Sequence, residues 1–409
     1  MQYQRRIRSE VVSALDDTRI VNLVGARQVG KTTLAEAISE AEKPMRFVTL
    51  DDQTTRDAAI RDPAGFVESL SGPTLIDEVQ RAPELLLEIK RVVDRDRMPG
   101  QFLLTGPSNV LASNQIVDAL TGRIETIRLW PLMQTEIEAG TSNFIDAIFQ
   151  GSPPDVTGAP AGRKAIRGRL TAGGFPEVIT RSENHRNAWY RSYVEASLAS
   201  DLTAISDLTR VDEIPRLLRL LAANAANVLK YRTVAEGLDI GHETVKTYTG
   251  LLERLGLIVR LPGWRPGLAA RETSKPKSFI TDTGMLCYLL GADESRLGRD
   301  DQITGKAVEN FVAMEILRHV NWSGEQVRLF HYHQPDRDVD LVVERNDGAI
   351  VAIEVKSTAT IRPRDYRWLE FLRERTGARF VAGIVICTTA QRVPLGDRLW
   401  ASPISALWQ

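Results

Sequence analysis

Short apolar stretches alternate with stretches of helical spacing along residues 20–140. Parallel strands need a helix-length connection, so this alternation predicts a mostly parallel α/β sheet. In the order of that sheet, the strand at 102–105 is expected to lie beside the strand at 74–76. The predicted strands of this region are 20–24, 46–50, 74–76, 102–105 and 124–129.

The pattern changes after residue 150. The segment GSPPDVTGAPAG, residues 151–162, is rich in proline and glycine and has no periodicity, which indicates a linker. Residues 166–221 have helical spacing, and a helix-turn-helix with a wing of two strands is predicted after them. The elements of that winged helix are helices at 233–240 and 243–255 and strands at 258–261 and 277–281.

The C-terminal part has the pattern of a second α/β region. A helix at 303–319 is followed by a strand, a hairpin, a helix and a strand that run through residue 386. The hairpin is predicted in the stretch VDLVVERNDGAIVAIEVKST. Its period-two alternation gives each strand an apolar face and a charged face, and Asn-Asp-Gly tolerates the positive φ of a tight turn.

The charged residues of this hairpin converge on one side. With the three residues Asn-Asp-Gly as the loop, Asp340 lies opposite Glu354 and Asp338 lies opposite Lys356. Carboxylates on two strands followed by a lysine, D…E-x-K, is the arrangement of metal-dependent nucleases. Asp340 and Glu354 would bind Mg²⁺, Lys356 would orient the attacking water, and Glu309 could complete the acid set. The alternative is a polar sheet face with an Asp338–Lys356 cross-strand pair.

Composition bounds the class of protein. The chain has 409 residues, 43% hydrophobic and 26% charged, which is typical of a globular protein of two or three domains. A net charge of −1 gives no global attraction to nucleic acid or membrane, so such a partner must meet a local patch. Cys287 and Cys387 lack ligand spacing, which excludes a disulfide framework and suits a reducing cytosol. No signal core or membrane-length apolar run is present, so we expect a cytoplasmic protein without a membrane partner.

A phosphate-binding loop is predicted near the N-terminus. GARQVGKT fits G-x-x-x-x-G-K-[ST], follows a strand and opens a helix, which is the context that this motif requires. Lys31 should reach the β- and γ-phosphates of ATP, and Thr32 should bind Mg²⁺. The predicted nucleotide ligands are Gly25, Ala26, Arg27, Gln28, Val29, Gly30, Lys31, Thr32 and Thr33.

A second motif, TLIDEVQ, supplies two acids at the end of a buried strand. Asp77 would hold the water shell of Mg²⁺, and Glu78 would polarise the attacking water, which favours hydrolysis over nucleotide binding alone. Helix capping is the weaker alternative for both. After the strand at 102–105, Thr105, Ser108 or Asn109 could sense the γ-phosphate, although cap chemistry could also explain these residues. Arg123 could be a sensor or an arginine finger in trans; a surface arginine at a strand start is an equally good interpretation.

Two further segments have mixed interpretations. The outward residues of the second helix of the helix-turn-helix, among them Glu243, Lys246 and Arg254, carry mixed charge, so a packing or protein-interaction role is as well supported as DNA reading. The segment RPRDYRWLEFLRER, residues 362–375, interleaves arginines with aromatic residues, as in a surface that holds a nucleic-acid strand or in an ordinary amphipathic helix. His331, with His333 on the same strand face, is predicted to be a partly buried strand histidine.

The ordered series of motifs resembles a group of prokaryotic AAA-type P-loop ATPases of unassigned role. The resemblance runs through GARQVGKTTL, TLIDEVQRAPELL, LLTGPSN, LTGRIETIRLWPL, GGFPE, KPKSFITDTGMLCYLLG and DVDLVVE…IEVKST. It implies a winged-helix region and a C-terminal domain similar to PD-(D/E)XK nucleases, and it does not by itself imply cleavage. One departure is Ser200, where relatives often have arginine. By position, the resemblance implies the nucleotide ligands Gly25, Gly30, Lys31 and Thr32, the magnesium and water residues Asp77 and Glu78, and the nuclease-like set Asp340, Glu354 and Lys356.

The predicted fold class is α/β, with a P-loop NTPase sheet, a helical and winged-helix region and a C-terminal α/β domain like a restriction endonuclease. The predicted domains are an ATPase domain at 1–150, a linker at 151–165, the helical and winged-helix region at 166–291 and the nuclease-like domain at 292–409.

The leading interpretation is an ATP-hydrolysing switch that uses ATP and Mg²⁺ and acts on nucleic acid, with DNA favoured. The rival is an ATP-gated protein-interaction module with an inert nuclease-like domain. A basic surface around Glu354 would favour the first. The sequence leaves open a homo-oligomer, a protein partner and metal-dependent nuclease activity.

Overall fold

A computed structural model describes residues 3–107, 120–156, 161–202 and 211–409. The chain divides into two compact units: residues 4–131 with 254–256 form the smaller unit, and most of the remainder forms the larger one. The predicted ATPase domain extends to residue 150, whereas the smaller unit ends at Pro131. The two units are defined by contacts within the folded chain, and a domain that folds alone can have other boundaries. The predicted domain boundaries therefore stay predictions.

The smaller unit contains one parallel sheet. Its strand order is β2-β3-β4-β1-β5, and every neighbouring pair is parallel. This confirms the predicted parallel sheet and the position of β4 beside β3. The described elements are helices α1 (Arg8–Asp17), α2 (Lys31–Ala41), α3 (Gln53–Arg61), α4 (Pro63–Glu68) and α5 (Leu85–Arg95) and strands β1 (Ile20–Val24), β2 (Arg46–Thr49), β3 (Thr74–Asp77), β4 (Phe102–Gly106) and β5 (Ile124–Arg128).

Burial explains why these strands form the centre of a sheet. Strand β1, IVNLV, is buried at every position, as expected of a parallel strand covered on both faces. Helix α5 buries Leu85, Leu86, Ile89 and Val93 at helical spacing, in one core cluster with Ile76 of β3. The apolar stripe of α5 therefore fixes this helix on the sheet.

The larger unit combines helices with two further sheets. Its helices are α6 (Gln134–Ile137), α7 (Phe144–Phe149), α8 (Arg163–Ala172), α9 (Glu183–Leu202), α10 (Ile214–Ala223), α11 (Tyr231–Leu238), α12 (His242–Arg254), α13 (Leu268–Glu272), α14 (Thr283–Leu290), α15 (Glu294–Leu297), α16 (Asp301–Val320) and α17 (Arg367–Thr376). Its strands are β6 (Ile258–Leu261), β7 (Lys277–Ile280), β8 (Val327–Gln334), β9 (Arg337–Arg345), β10 (Ile350–Val355), β11 (Phe380–Cys387), β12 (Val393–Gly396) and β13 (Leu399–Pro403).

Strands β6 and β7 pair antiparallel after the helices α11 and α12, at the places predicted for the wing and the helix-turn-helix. That these four elements act as a winged helix stays a prediction. The C-terminal sheet is mixed, with the order β12-β13-β11-β10-β9-β8. The α/β fold class is confirmed: a parallel sheet of P-loop type, a helical region and a separate C-terminal α/β sheet.

The predicted hairpin is formed by β9 and β10. Ile350 pairs with Glu344 and Ile353 pairs with Leu341, so this register places Glu354 opposite Asp340 at the next position. The turn is closed by the N–H of Arg345, which donates to the carbonyl of Ala349 at 2.8 Å. Gly348 has a φ of +85°, which an L side chain rarely adopts. The turn chemistry thus sets the register that the sequence predicted.

Two of the motifs in the larger unit meet at one buried carboxylate. Asp282 accepts hydrogen bonds from the Met285 N–H (2.9 Å), the Gly174 N–H (2.6 Å) and the Tyr190 hydroxyl (2.7 Å). A Cβ at Gly174 would lie 2.2 Å from the carbonyl oxygen of Leu132, so only glycine fits there. Burial, with the charge of Asp282, raises the pKa of Tyr190. The GGFPE and TDTG motifs therefore hold helices α8, α9 and α14 together.

Across the described residues, none of the helices combines the length and the apolar character needed to cross a membrane.

A buried histidine gives a pH-dependent prediction for the larger unit. His319 is fully buried, its Nε2 lies 2.8 Å from the carbonyl oxygen of Leu407, and burial lowers its pKa to about 4. Between its ordinary pKa and 4, the unfolded chain binds a proton that the folded chain does not, so stability falls as the pH drops. We expect His319 to account for a loss of about 3 kcal/mol near pH 4.

The measurement is urea unfolding at neutral pH and near pH 4 for the wild type and His319→Gln. Glutamine keeps an N–H donor for Leu407 and cannot titrate, so the variant should lose about 3 kcal/mol less on acidification. Equal losses in both proteins would show that His319 is not the titrating group.

Candidate functional site

The predicted phosphate-binding loop joins β1 to α2 at the carboxyl edge of the parallel sheet. Gly30 has a φ of +96° and Gln28 a φ of 60°, so the loop takes two left-handed positions within three residues. A Cβ at Gly25 would lie 2.3 Å from the carbonyl oxygen of Leu129, which only glycine avoids. Helix α2 begins at Lys31 and directs the positive end of its dipole at the loop. This is the geometry of an anion site.

Lys31 is held inside the loop. Its Nζ donates to the carbonyl oxygens of Gly25 (3.2 Å) and Ala26 (3.0 Å). Burial lowers the pKa of Lys31, and the negative charges of Glu78 and Asp77 oppose part of that shift. The structure therefore brings the predicted lysine and both predicted acids to one place.

Asp77 is the centre of a hydroxyl cluster. Its Oδ1 accepts from the hydroxyls of Thr32 (2.7 Å) and Thr105 (2.5 Å), and its Oδ2 accepts from Thr49 (3.4 Å). Carboxylate and hydroxyl oxygens are hard ligands of the kind that Mg²⁺ takes alongside phosphate oxygens and water. The donor set of Thr32 and Asp77 therefore fits the predicted Mg²⁺.

Glu78 follows β3 in a left-handed backbone conformation, with φ 57° and ψ 44°. A non-glycine residue there costs roughly 1–3 kcal/mol, and such residues cluster at functional sites. Its N–H donates to the Thr105 hydroxyl at 3.3 Å, and its carboxylate accepts from the side-chain amide of Gln80. Thr105 thus contacts both acids, which places it where a sensor was predicted; the other two candidates, Ser108 and Asn109, lie outside the described residues.

The structure adds Arg5, which the sequence analysis missed. Its guanidinium donates to the carbonyl of Val29 at 3.0 Å and to the carbonyl of Trp130. It therefore links the loop to the chain segment after β5. An arginine twenty-odd positions before the motif carries no local spacing signal, so only the fold could place it.

Arg123 lies elsewhere in the smaller unit. It precedes β5, so it lies at the amino edge of the sheet, whereas the phosphate loop and Glu78 lie at the carboxyl edge. Its guanidinium donates to both carboxylate oxygens of Asp94, at 2.5 and 3.1 Å. The structure does not bring Arg123 to the nucleotide site of its own chain, because the two edges lie at opposite ends of the strands. A role in trans stays a prediction.

A second cluster of charges lies at the hairpin of the larger unit. Asp340 is buried and its Oδ2 accepts from the Val355 N–H at 2.9 Å. Lys356 donates to Glu354 at 2.6 Å. The structure thus brings the predicted set of Asp340, Glu354 and Lys356 together. The alternative pair of Asp338 with Lys356 does not describe this arrangement, since Lys356 bonds Glu354.

The partner of Asp338 is a residue that the sequence analysis had placed in the wing. Lys277, the first residue of β7, is only 3% exposed. Its Nζ lies 3.0 Å from Asp338, 3.3 Å from Asp340 and 3.3 Å from Glu309. Burial alone would lower the pKa of Lys277, but the three carboxylates together raise it above its usual value. Lys277 is the first residue of a fully buried strand, where a charged side chain needs a partner of opposite charge. This position is the signal that could have indicated the carboxylate partners.

The charge of this cluster depends on the protonation of its carboxyl groups. Burial and the neighbouring charge of Asp340 raise the pKa of Glu309 well above its ordinary value, and they raise the pKa of Glu354 to about 8 against the opposing effect of Lys356. Four carboxyl groups meet two ammonium groups, so the cluster has excess negative charge only where Glu309 and Glu354 are ionised. A divalent cation would favour the ionised forms, and Asp340 and Glu354 supply hard oxygen donors of the kind it takes. No group of three or more His, Cys, Asp or Glu side chains within the described ranges is arranged to hold a metal.

The arginine-aromatic segment forms helix α17 and packs on the core. Leu369 and Leu372 are buried in the core of the C-terminal sheet, and Trp368 and Phe371 pack against it. Arg337 lies 4.3 Å from the ring centre of Phe371. Within the segment, Arg367 lies 4.5 Å from the ring centre of Trp368 and Arg375 lies 5.9 Å from that of Phe371, so these arginines contact the aromatic rings beside them. His331 is buried and His333 exposed, so the expected partial burial describes neither.

Three family models match separate parts of the chain. Residues 17–138 match the AAA domain, residues 163–296 match a domain of unknown function (DUF8612), and residues 304–407 match another (DUF4143). Together with the loop geometry, the first match makes the N-terminal region an ATP-binding domain of an AAA-type P-loop ATPase. The other two matches name no activity.

Two curated relatives are similar over most of the chain. The uncharacterized proteins Rv2008c of Mycobacterium tuberculosis and Mb2031c of Mycobacterium bovis are each 28% identical over 349 residues, which is 85% of this chain and 72% of each relative. Neither name gives an activity.

Among solved structures, the Thermotoga maritima RuvB Holliday junction branch migration motor is 19% identical, with a TM-score of 0.28. The match covers 64% of this chain and 90% of the RuvB chain. A Pyrococcus horikoshii signal transduction ATPase with numerous domains is 13% identical, with a TM-score of 0.22. The match covers 79% of this chain and 45% of the Pyrococcus chain. At such low TM-scores, the assignment depends on the AAA domain match and the site.

Proposed function

We propose that this chain is an ATP-hydrolysing switch that acts on nucleic acid, with DNA favoured over RNA. The observation that carries the hydrolytic part is the contact of Thr105 with both Asp77 (2.5 Å) and the backbone of Glu78 (3.3 Å), beside Lys31. That contact supports the assignment of Asp77 to Mg²⁺ and of Glu78 to the attacking water. A nucleotide-binding domain without turnover has no need of the second acid.

The chain's own residues would divide the work of hydrolysis. Lys31 and the first turn of α2 neutralise the phosphate charge, and Glu78 polarises the attacking water. Thr105 positions both acids. Thr32 and Asp77 would hold Mg²⁺, which would neutralise part of the phosphate charge when bound.

The nucleic-acid part of the proposal depends on the hairpin cluster. Asp340, Glu354 and Lys356 lie together, as the D…E-x-K pattern requires, and a divalent ion would stabilise the ionised form of both carboxylates. Asp340 and Glu354 would be its ligands, and Lys356 would orient water or stabilise the developing phosphate charge. Metal-dependent nuclease activity is therefore part of the proposal.

A specific observation favours the rival function, an ATP-gated protein-interaction module. Lys277 and Lys356 already bond Asp340 and Glu354, so an ion would compete with two ammonium groups. In that case the hairpin would be an inert scaffold and the partner would be a protein. A homo-oligomer is compatible with both functions.

The deciding experiment incubates the full chain with labelled single-stranded DNA, duplex DNA and RNA, with and without ATP, Mg²⁺ and Mn²⁺. ATP hydrolysis and strand length are followed in the same tube. We expect DNA to raise the ATPase rate severalfold and Mn²⁺ or Mg²⁺ to support cleavage that Asp340→Asn abolishes. Glu374→Gln, at an exposed acid on α17, is the matched control.

The outcomes separate the two functions. Stimulation by DNA without cleavage would support a nucleic-acid switch with an inert hairpin. An ATPase rate that no nucleic acid changes, with no strand bound or cut, would contradict the proposed function and leave the interaction module.

A further inference from the structure

The larger unit contains a cavity of about 1150 Å³ beside the hairpin cluster. Its walls come from residues 224–234, from residues 263–277 and from the strands β8 and β9. Pockets for small molecules typically have volumes of roughly 300–1,000 Å³. This cavity therefore has room for a segment of a chain molecule.

The walls are basic although the whole chain is not. Lys230, Arg265, Lys275 and Lys277 line the cavity against only two carboxylates, and those two carboxylates both bond Lys277. Lys230 and Lys275 are exposed. The chain as a whole has a net charge of −1. A local excess of cations in a recess attracts an anionic polymer.

One buried side chain in the cavity wall has an unused hydrogen-bonding atom. His331 is 1% exposed, and its Nε2 lies 3.0 Å from the carbonyl oxygen of Lys275, so Nε2 carries the proton and Nδ1 is an acceptor. That Nδ1 has no hydrogen-bond partner among the described residues. Burial lowers the pKa of His331 to about 4, which keeps the ring neutral. The neutral ring adds no positive charge to the wall, so the lysines and Arg265 carry the attraction for an anion.

The cavity also reaches the nuclease-like residues. Lys277 lines it and bonds Asp340 at 3.3 Å, so a chain in the cavity would lie next to the hairpin acids. The phosphates of a nucleic-acid backbone suit the exposed lysines Lys230 and Lys275. A duplex is read by elements that project into its grooves, whereas a recess accepts a single strand.

We propose that this cavity binds the backbone of single-stranded nucleic acid, with Lys230 and Lys275 on phosphates and Lys277 between the strand and Asp340. The proposal rests on the proposed function and names the place where its substrate binds. It assigns the site to residues of the middle region, outside the C-terminal hairpin. The outward face of α12 is the competing location.

The test is fluorescence anisotropy of a short labelled DNA strand on the full chain, in EDTA and without nucleotide, so that neither metal nor turnover contributes. We expect the double variant Lys230→Glu/Lys275→Glu to bind at least tenfold more weakly. Its slope of log affinity against log salt should fall by about 1.4, because each single-strand phosphate contact contributes roughly 0.7. Circular dichroism checks folding, and Lys230→Gln/Lys275→Gln provides a milder second variant.

The matched control is Lys164→Glu/Lys246→Glu, which makes the same charge change at two exposed lysines, one of them on α12. It should bind like the wild type. Equal affinities of the wild type and the cavity variants would overturn the proposed binding site and leave the proposed function intact. A loss of binding in the control, or tighter binding of duplex than of single strand, would have the same consequence. A wild type that binds no nucleic acid would overturn the proposed function together with the cavity.

Discussion

Replacing Glu78 with glutamine is expected to lower ATP turnover at least a hundredfold and to leave ATP binding unchanged. The carboxylate is the group assigned to polarise water, and such groups contribute roughly 10²–10⁴-fold to rate. Glutamine has nearly the same shape and takes the same left-handed backbone position. Phosphate release measures turnover, and titration with a fluorescent ATP analogue measures binding.

Lys31→Ala should give the complementary result, with weaker nucleotide binding, because it removes the charge that faces the phosphates. Glu84→Gln, at an exposed acid six residues further on, is the matched control and should hydrolyse ATP like the wild type. Unchanged turnover in Glu78→Gln would remove Glu78 from the role of water acid.

Replacing Lys277 with methionine is expected to reduce the free energy of unfolding by about 3–5 kcal/mol. The substitution keeps the volume of the side chain and removes the ammonium that neutralises Asp338, Asp340 and Glu309. Asp340, which is buried, would then lie beside Asp338 and Glu309 without its cation, and the like charges would repel one another. Urea unfolding of the full chain measures the change.

Lys275→Met changes the same residue type two positions away, where the side chain is exposed, and should cost less than about 0.5 kcal/mol. Adding Asp338→Asn to Lys277→Met should recover part of the loss, because the two residues are coupled. If Lys277→Met costs no more than Lys275→Met, the ammonium does not stabilise the acid cluster.

Features encoded by contiguous residues were predicted from the sequence. The loop from Gly25 to Thr32 needs a left-handed glycine and the start of a helix, and eight neighbouring residues encode both features. The hairpin register follows from a turn at Gly348, which the structure confirms. The parallel sheet was predicted for the same reason, from five short apolar strands that alternate with helical stretches.

Contacts between distant segments were not predictable. Lys277 joins Asp340 across 63 positions, and no sequence period connects the second strand of a wing to a hairpin acid. Arg5 supports the phosphate loop from before β1. Arg123 lies at the amino edge of the sheet because β5 runs parallel to β1. The residues around Arg123 do not encode that direction, since an arginine at a strand start has the same local pattern at either edge. The roles of these site residues remain proposals.

The most direct test of the central claim, that the N-terminal region hydrolyses ATP with Mg²⁺, is phosphate release from ATP by the purified full chain, with Mg²⁺ and with EDTA. The measurement is made in the presence and absence of single-stranded DNA. Our account predicts release with Mg²⁺ that disappears in EDTA and in Lys31→Ala. No release by the wild type in any of these conditions, or release that persists in Lys31→Ala, would contradict it.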